Sequence, residues 1–180
     1  MCAIIGVLGN NLPSKEKFIQ ARDTMTHRGP DDAGVYYTPK ESTALGHRRL
    51  SIIDLSESGH QPSTSNDGRF VITYNGEIYN YKEIKEELKN SYDFKTQTDT
   101  EVLLAAYIRW GEKCLNKFNG MFSFAIWDKE TKKLFCARDR LGIKPFYYYL
   151  KDGTLYFSSE IKGLLKLGVP KISNENIIFD

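Results

Sequence analysis

A chain of 180 residues, 41% hydrophobic and 27% charged, has the make-up of one globular domain with a substantial core, or of one domain and a stub of the next. Its net charge of +2 and interleaved charges, as in Lys82-Glu83-Ile84-Lys85-Glu86-Glu87, give no basic stripe and argue against nucleic acid as a partner. No apolar run is long enough to span a membrane or, at the N-terminus, to serve as a signal peptide; three widely spaced cysteines make no disulfide framework, so a cytoplasmic, reducing setting is expected.

In chain order, Cys2 to Leu8 is a continuous apolar run and predicts a buried strand. Ser14 can cap a helix over Lys15 to Met25, with Phe18, Ile19, Arg22 and Met25 spaced for one face. Ala33 to Thr38, Ala44 to His47 and Arg69 to Tyr74 are short strand candidates, the last preceded by the turn Asn66-Asp67-Gly68. A charged helix is expected over Tyr81 to Lys89. The strongest helix signal starts at Thr98-Asp99-Thr100-Glu101, which has capping-box spacing, and stops at Gly111. Strands follow at Met121 to Trp127, Lys133 to Ala137, Phe146 to Leu150 and Thr154 to Phe157, the last two joined by the hairpin turn Lys151-Asp152-Gly153. A helix from Ser159 to Leu167 should end at Gly168, and Ser173 to Asp180 reads as a further helix barely begun. Strands and helices arriving in runs predict an α+β fold with two mainly antiparallel sheets packed face to face and helices outside.

Cys2 carries the sharpest chemical signal. Removal of Met1 would leave a residue with a thiol nucleophile and a free α-amine, a base that titrates near neutral pH. Taken alone, a Met-Cys start is more readily a small buried hydrophobe on a strand. If the target is an amide such as glutamine, the site needs a fork for the substrate carboxylate, acids for its ammonium and donors for the developing oxyanion. Arg48-Arg49 offers the fork, although an arginine pair by default makes surface salt bridges. Asn75-Gly76 offers donors, although Asn-Gly commonly marks a turn. Asp99 offers an acid, although the first turn of a helix favours one anyway. His27, His47 and His60 have no metal spacing, and neither a nucleophile elbow nor a phosphate-binding glycine loop is present.

Taken together, Met1-Cys2-Ala3-Ile4-Ile5-Gly6-Val7, His27-Arg28-Gly29-Pro30-Asp31, His47 to Asp54, Asn75-Gly76-Glu77-Ile78-Tyr79-Asn80, Thr98 to Glu101, Asn119 to Ala125, Arg138 to Pro145 and Ser158 to Lys162 resemble, in order, the glutaminase half of glutamine-hydrolysing asparagine synthetases. The resemblance implies an N-terminal-nucleophile hydrolase fold, a four-layer αββα sandwich, over residues 1–170, with 171–180 leading toward a C-terminal synthetase domain. It implies Cys2 as nucleophile and Asn75 and Gly76 as oxyanion hole. Arg49 would grip the substrate carboxylate, with Leu50, Ser51, Ile52 and Ile53 running along the glutamine pocket and Glu77 and Asp99 around the α-amino group. Arg48 departs from the pattern, standing where the family often has an acid. No metal or cofactor is expected here; ATP and Mg belong to the synthetase domain. The implied partners are L-glutamine and that domain or a separate synthetase subunit, and a homodimer stays open. So do a sugar-modifying amidotransferase, a non-catalytic glutamine-binding module and an amidase for another amide.

Overall fold

The computed structural model describes residues 1–51 and 59–172. Among the described residues nine strands form two sheets, with every pairing antiparallel. In chain order the elements are β1 (Ala3–Leu8), α1 (Lys15–Asp23), β2 (Asp32–Thr38), β3 (Thr43–Arg49), β4 (Ser63–Thr64), β5 (Phe70–Ile78), α2 (Tyr81–Leu88), α3 (Asp99–Trp110), β6 (Gly120–Asp128), β7 (Lys133–Arg138), β8 (Tyr147–Lys151), β9 (Thr154–Ser158) and α4 (Ile161–Leu167). One sheet runs β2-β3-β1-β9-β8 and the other β4-β5-β6-β7.

Three apolar clusters separate four layers. Ala3, Ile5, Val7 and Ala44 meet Phe18, Ala21 and Met25, and also Leu167 of α4, on the outer face of the first sheet. Ile4, Leu45 and Phe157 meet Val71, Ala125 and Trp127 between the sheets. Phe70, Ile72, Phe122 and Phe124 pack under Ile84 and Leu88 of α2 and Leu103 and Leu104 of α3. β1 is covered on both faces, which is why its sequence is apolar throughout instead of alternating. Each fully buried Ile, Leu or Phe of these layers contributes about 1.5–3 kcal/mol by leaving water. This is the expected αββα sandwich.

The departures are informative. β3 runs on to Arg49, two residues past the expected end, because Arg48 and Arg49 still pair with Ala33 and Asp32 of β2. β5 runs on to Ile78, so Asn75-Gly76 lies inside a strand and makes no turn. The two-residue β4 gave no signal of its own. α1 stops at Asp23, where the N–H groups of Met25 and Thr26 turn back to the Arg22 and Asp23 carbonyls. α4 starts at Ile161, since the N–H of Ser159 is still held by the Ile4 carbonyl. Thr98 does cap α3, accepting from Glu101 N–H at 3.3 Å. The Glu101 carboxylate, however, holds the N–H groups of Lys95 and Thr96, not that of Thr98. The tail from Ser173 lies outside the described residues.

Candidate active site

Alternation along the strands decides which side chains face the gap between the sheets. Ile4 of β1 and Leu45 of β3 point inward, so Cys2, His47 and Arg49 share that face. Val71 of β5 points inward, and Asn75 and Glu77 follow it at even spacing. In the β1–β3 register Ala3 stands opposite Arg48, so one further step sets Cys2 opposite Arg49. The same alternation splits the arginine pair. Arg48 turns outward, donating to the Gly29 carbonyl at 2.9 Å and facing Asp23 at 3.5 Å; it is buried, not a surface ion pair. The two sheets are pinned beside the site by polar bonds across the core. His47 Nε2 donates to the Tyr74 carbonyl at 3.0 Å, and Thr73 Oγ1 donates to the Gly46 carbonyl at 3.1 Å. Burial lowers the His47 pKa to about 3, so the ring is neutral and the bond is a fixed N–H donor.

These residues surround one cavity of about 80 Å³. Cys2, Arg49, Leu50, Gly76, Glu77 and Asp99 line it, together with Tyr74, Gln61 and Gly59 and with Thr98 and Thr100 beside Asp99. A Cβ on Gly59 would fall 2.0 Å from an Arg49 terminal nitrogen, so glycine is required for the guanidinium to lie where it does. Asn75 is not among the wall residues; it is 1% exposed and lies on β5 between Tyr74 and Gly76, which are. Ser51 is not among the wall residues, and its N–H is committed to Asp31 at 2.8 Å. Ile52 and Ile53 lie outside the described residues.

The Cys2 thiol is half-buried, with Leu50 N–H donating to its sulfur at 3.4 Å. Burial pushes its pKa up, and the Leu50 backbone, the chain's own amino terminus, Arg49 and Lys144 oppose that push. At neutral pH the thiol is therefore protonated and needs a base. Two candidate donors lie on neighbouring residues of β5. The Asn75 amide nitrogen is buried and has no hydrogen-bond partner among the described residues. The second donor follows from strand register. Gly76 stands opposite Phe122, whose N–H goes to the Asp139 carboxylate and whose carbonyl accepts from Asp139 N–H. The Gly76–Phe122 pair is thus the non-hydrogen-bonded type, and the Gly76 N–H points away from β6. It points to the edge where Tyr74 N–H meets Gln61 at 2.7 Å and Ile78 N–H meets Asp99 at 3.1 Å, both of them wall residues. A side chain at Gly76 would place its Cβ 2.5 Å from the Met121 carbonyl oxygen, so only glycine allows this close approach.

Asp99 Oδ2 accepts from the Tyr74 hydroxyl at 2.8 Å as well as from Ile78 N–H. Burial raises the Asp99 pKa, and the nearby Glu77 charge raises it further; the Ile78 and Tyr74 bonds work against both. An acid whose folded pKa is raised opposes folding once ionised, and a cation beside it would relieve that cost. Asp99→Asn is accordingly expected to leave the melting temperature within a few degrees, because the amide oxygen still accepts both bonds, while raising the glutamine KM by roughly 10- to 100-fold. Titration and thermal melting of the same sample check the pair of outcomes.

Tyr74, Gln61 and Gly59 escaped the sequence reading. Tyr74 carries a faint signal, two residues from Gly76 on one strand face and in reach of an acid on the covering helix. Gln61 has none: it matters because Oε1 holds β5 while Nε2 reaches Thr100 of α3 at 3.3 Å. Among the described residues no group of three or more His, Cys, Asp or Glu could hold a metal ion, and no helix is long and apolar enough to cross a membrane.

Comparison with known proteins places this geometry in a family. Residues 1–178 match the family described as glutamine amidotransferase domain. The chain is 44% identical to "Asparagine synthetase [glutamine-hydrolyzing] 1" of Bacillus subtilis and 40% identical to "Asparagine synthetase [glutamine-hydrolyzing] 3" of the same organism. Each alignment covers 92% of this chain and 27% of the relative, so the chain spans about a quarter of their length. Among solved structures, glutamine phosphoribosylpyrophosphate amidotransferase from B. subtilis, complexed with ADP and GMP, superposes with a TM-score of 0.77 over 93% of this chain and 44% of its own, at 21% identity. That likeness shows a shared fold, the four-layer αββα sandwich. The chain belongs to the glutamine amidotransferase domain family.

Proposed function

We propose that this domain hydrolyses L-glutamine to glutamate and ammonia through a γ-glutamyl thioester on Cys2, and that the ammonia serves an ATP-dependent synthetase domain of the asparagine synthetase type. The observation that carries the proposal is the convergence of a thiol, a guanidinium and two acids on one cavity, the complement of a free α-amino acid with an electrophilic side chain. Glutamine would lay its carboxylate on Arg49, with Leu50 alongside, and its ammonium against Asp99 and Glu77. Met1 is first removed, and the freed Cys2 amine takes the thiol proton. The thiolate attacks the carboxamide carbon; Asn75 Nδ2 and Gly76 N–H receive the oxyanion. The tetrahedral adduct collapses, the amine's proton leaves with the ammonia, and water cleaves the thioester to glutamate and free thiol.

In this reading residues 1–170 form the glutaminase domain and 171–180 begin the connection to the synthetase side, where ATP and Mg act. The three free cysteines suit a reducing cytoplasm. Ammonia release from glutamine, with a glutamine-analogue electrophile that labels Cys2, tests the core of the proposal; labelling of Cys114 or Cys136 alone, with no ammonia released, would refute it. Arg49→Lys replaces a bidentate fork by a point charge. It should raise the glutamine KM roughly tenfold or more and change kcat far less. Steady-state kinetics showing an unchanged KM would move the carboxylate away from Arg49.

A further inference from the structure

Lys144 belongs to the loop between β7 and β8, outside the constellation described so far. Its main chain is fixed from both sides. The N–H donates to the Asp139 carboxylate at 2.9 Å, and the carbonyl accepts from Arg138 Nε at 2.7 Å. The same Asp139 carboxylate holds the N–H of Phe122, opposite Gly76, so this loop is tied to the strand that backs the oxyanion donors. The lysine is 5% exposed. Among the described residues the hydrogen bond of its ammonium goes to the Met1 thioether, at 3.8 Å. A thioether is a weak acceptor, and a buried ammonium with no better partner is costly unless another group uses it. The partner in question is also the residue whose removal would create the N-terminal nucleophile.

We propose that Lys144 is a positioning residue of the catalytic centre, its fixed ammonium facing the place Met1 leaves and biasing both the thiol and the new amine of Cys2. The inference rests on the glutaminase reading above for its purpose, not for its geometry. A neighbouring positive charge favours the thiolate over the thiol and the neutral amine over the ammonium, and the mechanism needs both shifts. Lys144 is already among the groups that oppose the burial of the Cys2 thiol.

The other charges around Cys2 are differently engaged. Arg28 Nε donates to the Cys2 carbonyl at 3.1 Å, and its NH1 is paired with Glu160, just ahead of α4, at 3.3 Å. Glu160 also meets His27 at 3.0 Å and Lys162 at 2.9 Å, so that cluster carries its own counter-ion. Arg49 from β3 is the proposed partner of the substrate carboxylate. Glu77 of β5 and Asp99 of α3, with the Tyr74 hydroxyl on Asp99, face the proposed ammonium site. Lys144 is the cation from the remaining side.

The test uses chains whose mass confirms Cys2 as the first residue: the parent, Lys144→Met and Lys144→Arg. The rate of Cys2 alkylation by iodoacetamide is followed from acid to alkaline pH, located by peptide mass, alongside kcat/KM for glutamine over the same range. Lys144→Met is expected to alkylate about tenfold more slowly at pH 7, with the gap closing at alkaline pH, and to shift the acid limb of kcat/KM upward. Lys144→Arg should stay within about threefold of the parent, because the charge is kept. If Lys144→Met melts early, Lys144→Gln makes the same comparison with hydrogen bonding retained. Equal alkylation at every pH, or slowing by one constant factor, would overturn the inference, since the first shows no influence and the second only altered access. A parent chain that alkylates normally but releases no ammonia would instead end the glutaminase reading, with the alkylation profiles still deciding the role of Lys144.

Discussion

Cys2→Ala is expected to lower glutamine hydrolysis by roughly 10⁴-fold or more while glutamine still binds within a few-fold of the parent affinity. The separation of the two effects follows from the layout of the cavity. The guanidinium and the acids come from β3, β5 and α3, while the sulfur is carried by the residue just ahead of β1. Burial raises the thiol pKa, so at neutral pH the sulfur does not ionise unaided and depends on the adjacent amine. That amine works only in its neutral form. Activity should therefore fall as pH drops through the amine's titration, whatever the carboxylates do. A chain that keeps one residue ahead of Cys2 has a peptide nitrogen there instead of a base and should be as inactive as Cys2→Ala. A protease site placed before Cys2 gives both forms from one preparation. Ammonia release before and after cleavage, with calorimetry for binding, reads the outcome; full activity in the uncleaved form would remove the amine from the mechanism.

The layers of the fold were legible because the pattern and the burial agree. β1 is a continuous apolar run and is buried on both faces; the β8–β9 hairpin turns where Lys151-Asp152-Gly153 allows it, with Asp152 and Gly153 at positive φ. What stayed hidden depends on partners distant in sequence. β5 continues through Asn75-Gly76 because β6 pairs with it over its full length, a tertiary effect that overrides a local turn preference. β4 exists because its two residues sit beside Val71 and Ile72, and nothing in Ser63-Thr64 alone says strand.

Site legibility divides the same way. Residue type offered Cys2, the arginine pair and Asp99, the resemblance singled out Arg49 and added Glu77, and the fold brings Cys2, Arg49, Glu77 and Asp99 to one cavity. The groups that support them have ordinary side chains with no motif. Tyr74 becomes meaningful only when its hydroxyl meets Asp99, and Lys144 only when its ammonium is found buried against Met1. Alternation along β3 also explains what spacing could not: adjacent arginines serve opposite faces, Arg48 the α1 layer and Arg49 the cavity.

Asn75→Ala offers the clearest test of whether the site is built for a transition state. A buried amide N–H group without a partner costs about 1–3 kcal/mol, and among the described residues the Asn75 amide nitrogen has none. Its cross-strand neighbour Ser123, 0% exposed, likewise has a hydroxyl without a partner, so no rearrangement of the pair has relieved it. In the proposed mechanism such a donor meets charge that appears only during reaction, where a fixed dipole acts without reorganising. The alanine variant should therefore lose about 10²- to 10³-fold in kcat, leave the glutamine KM within a few-fold, and keep its melting temperature or gain slightly. Opposite signs in turnover and stability are what distinguish this role from packing, for which both would fall together. Parallel losses in kcat and melting temperature would mean that Asn75 holds the strand and that the oxyanion must be stabilised by the Gly76 N–H without it.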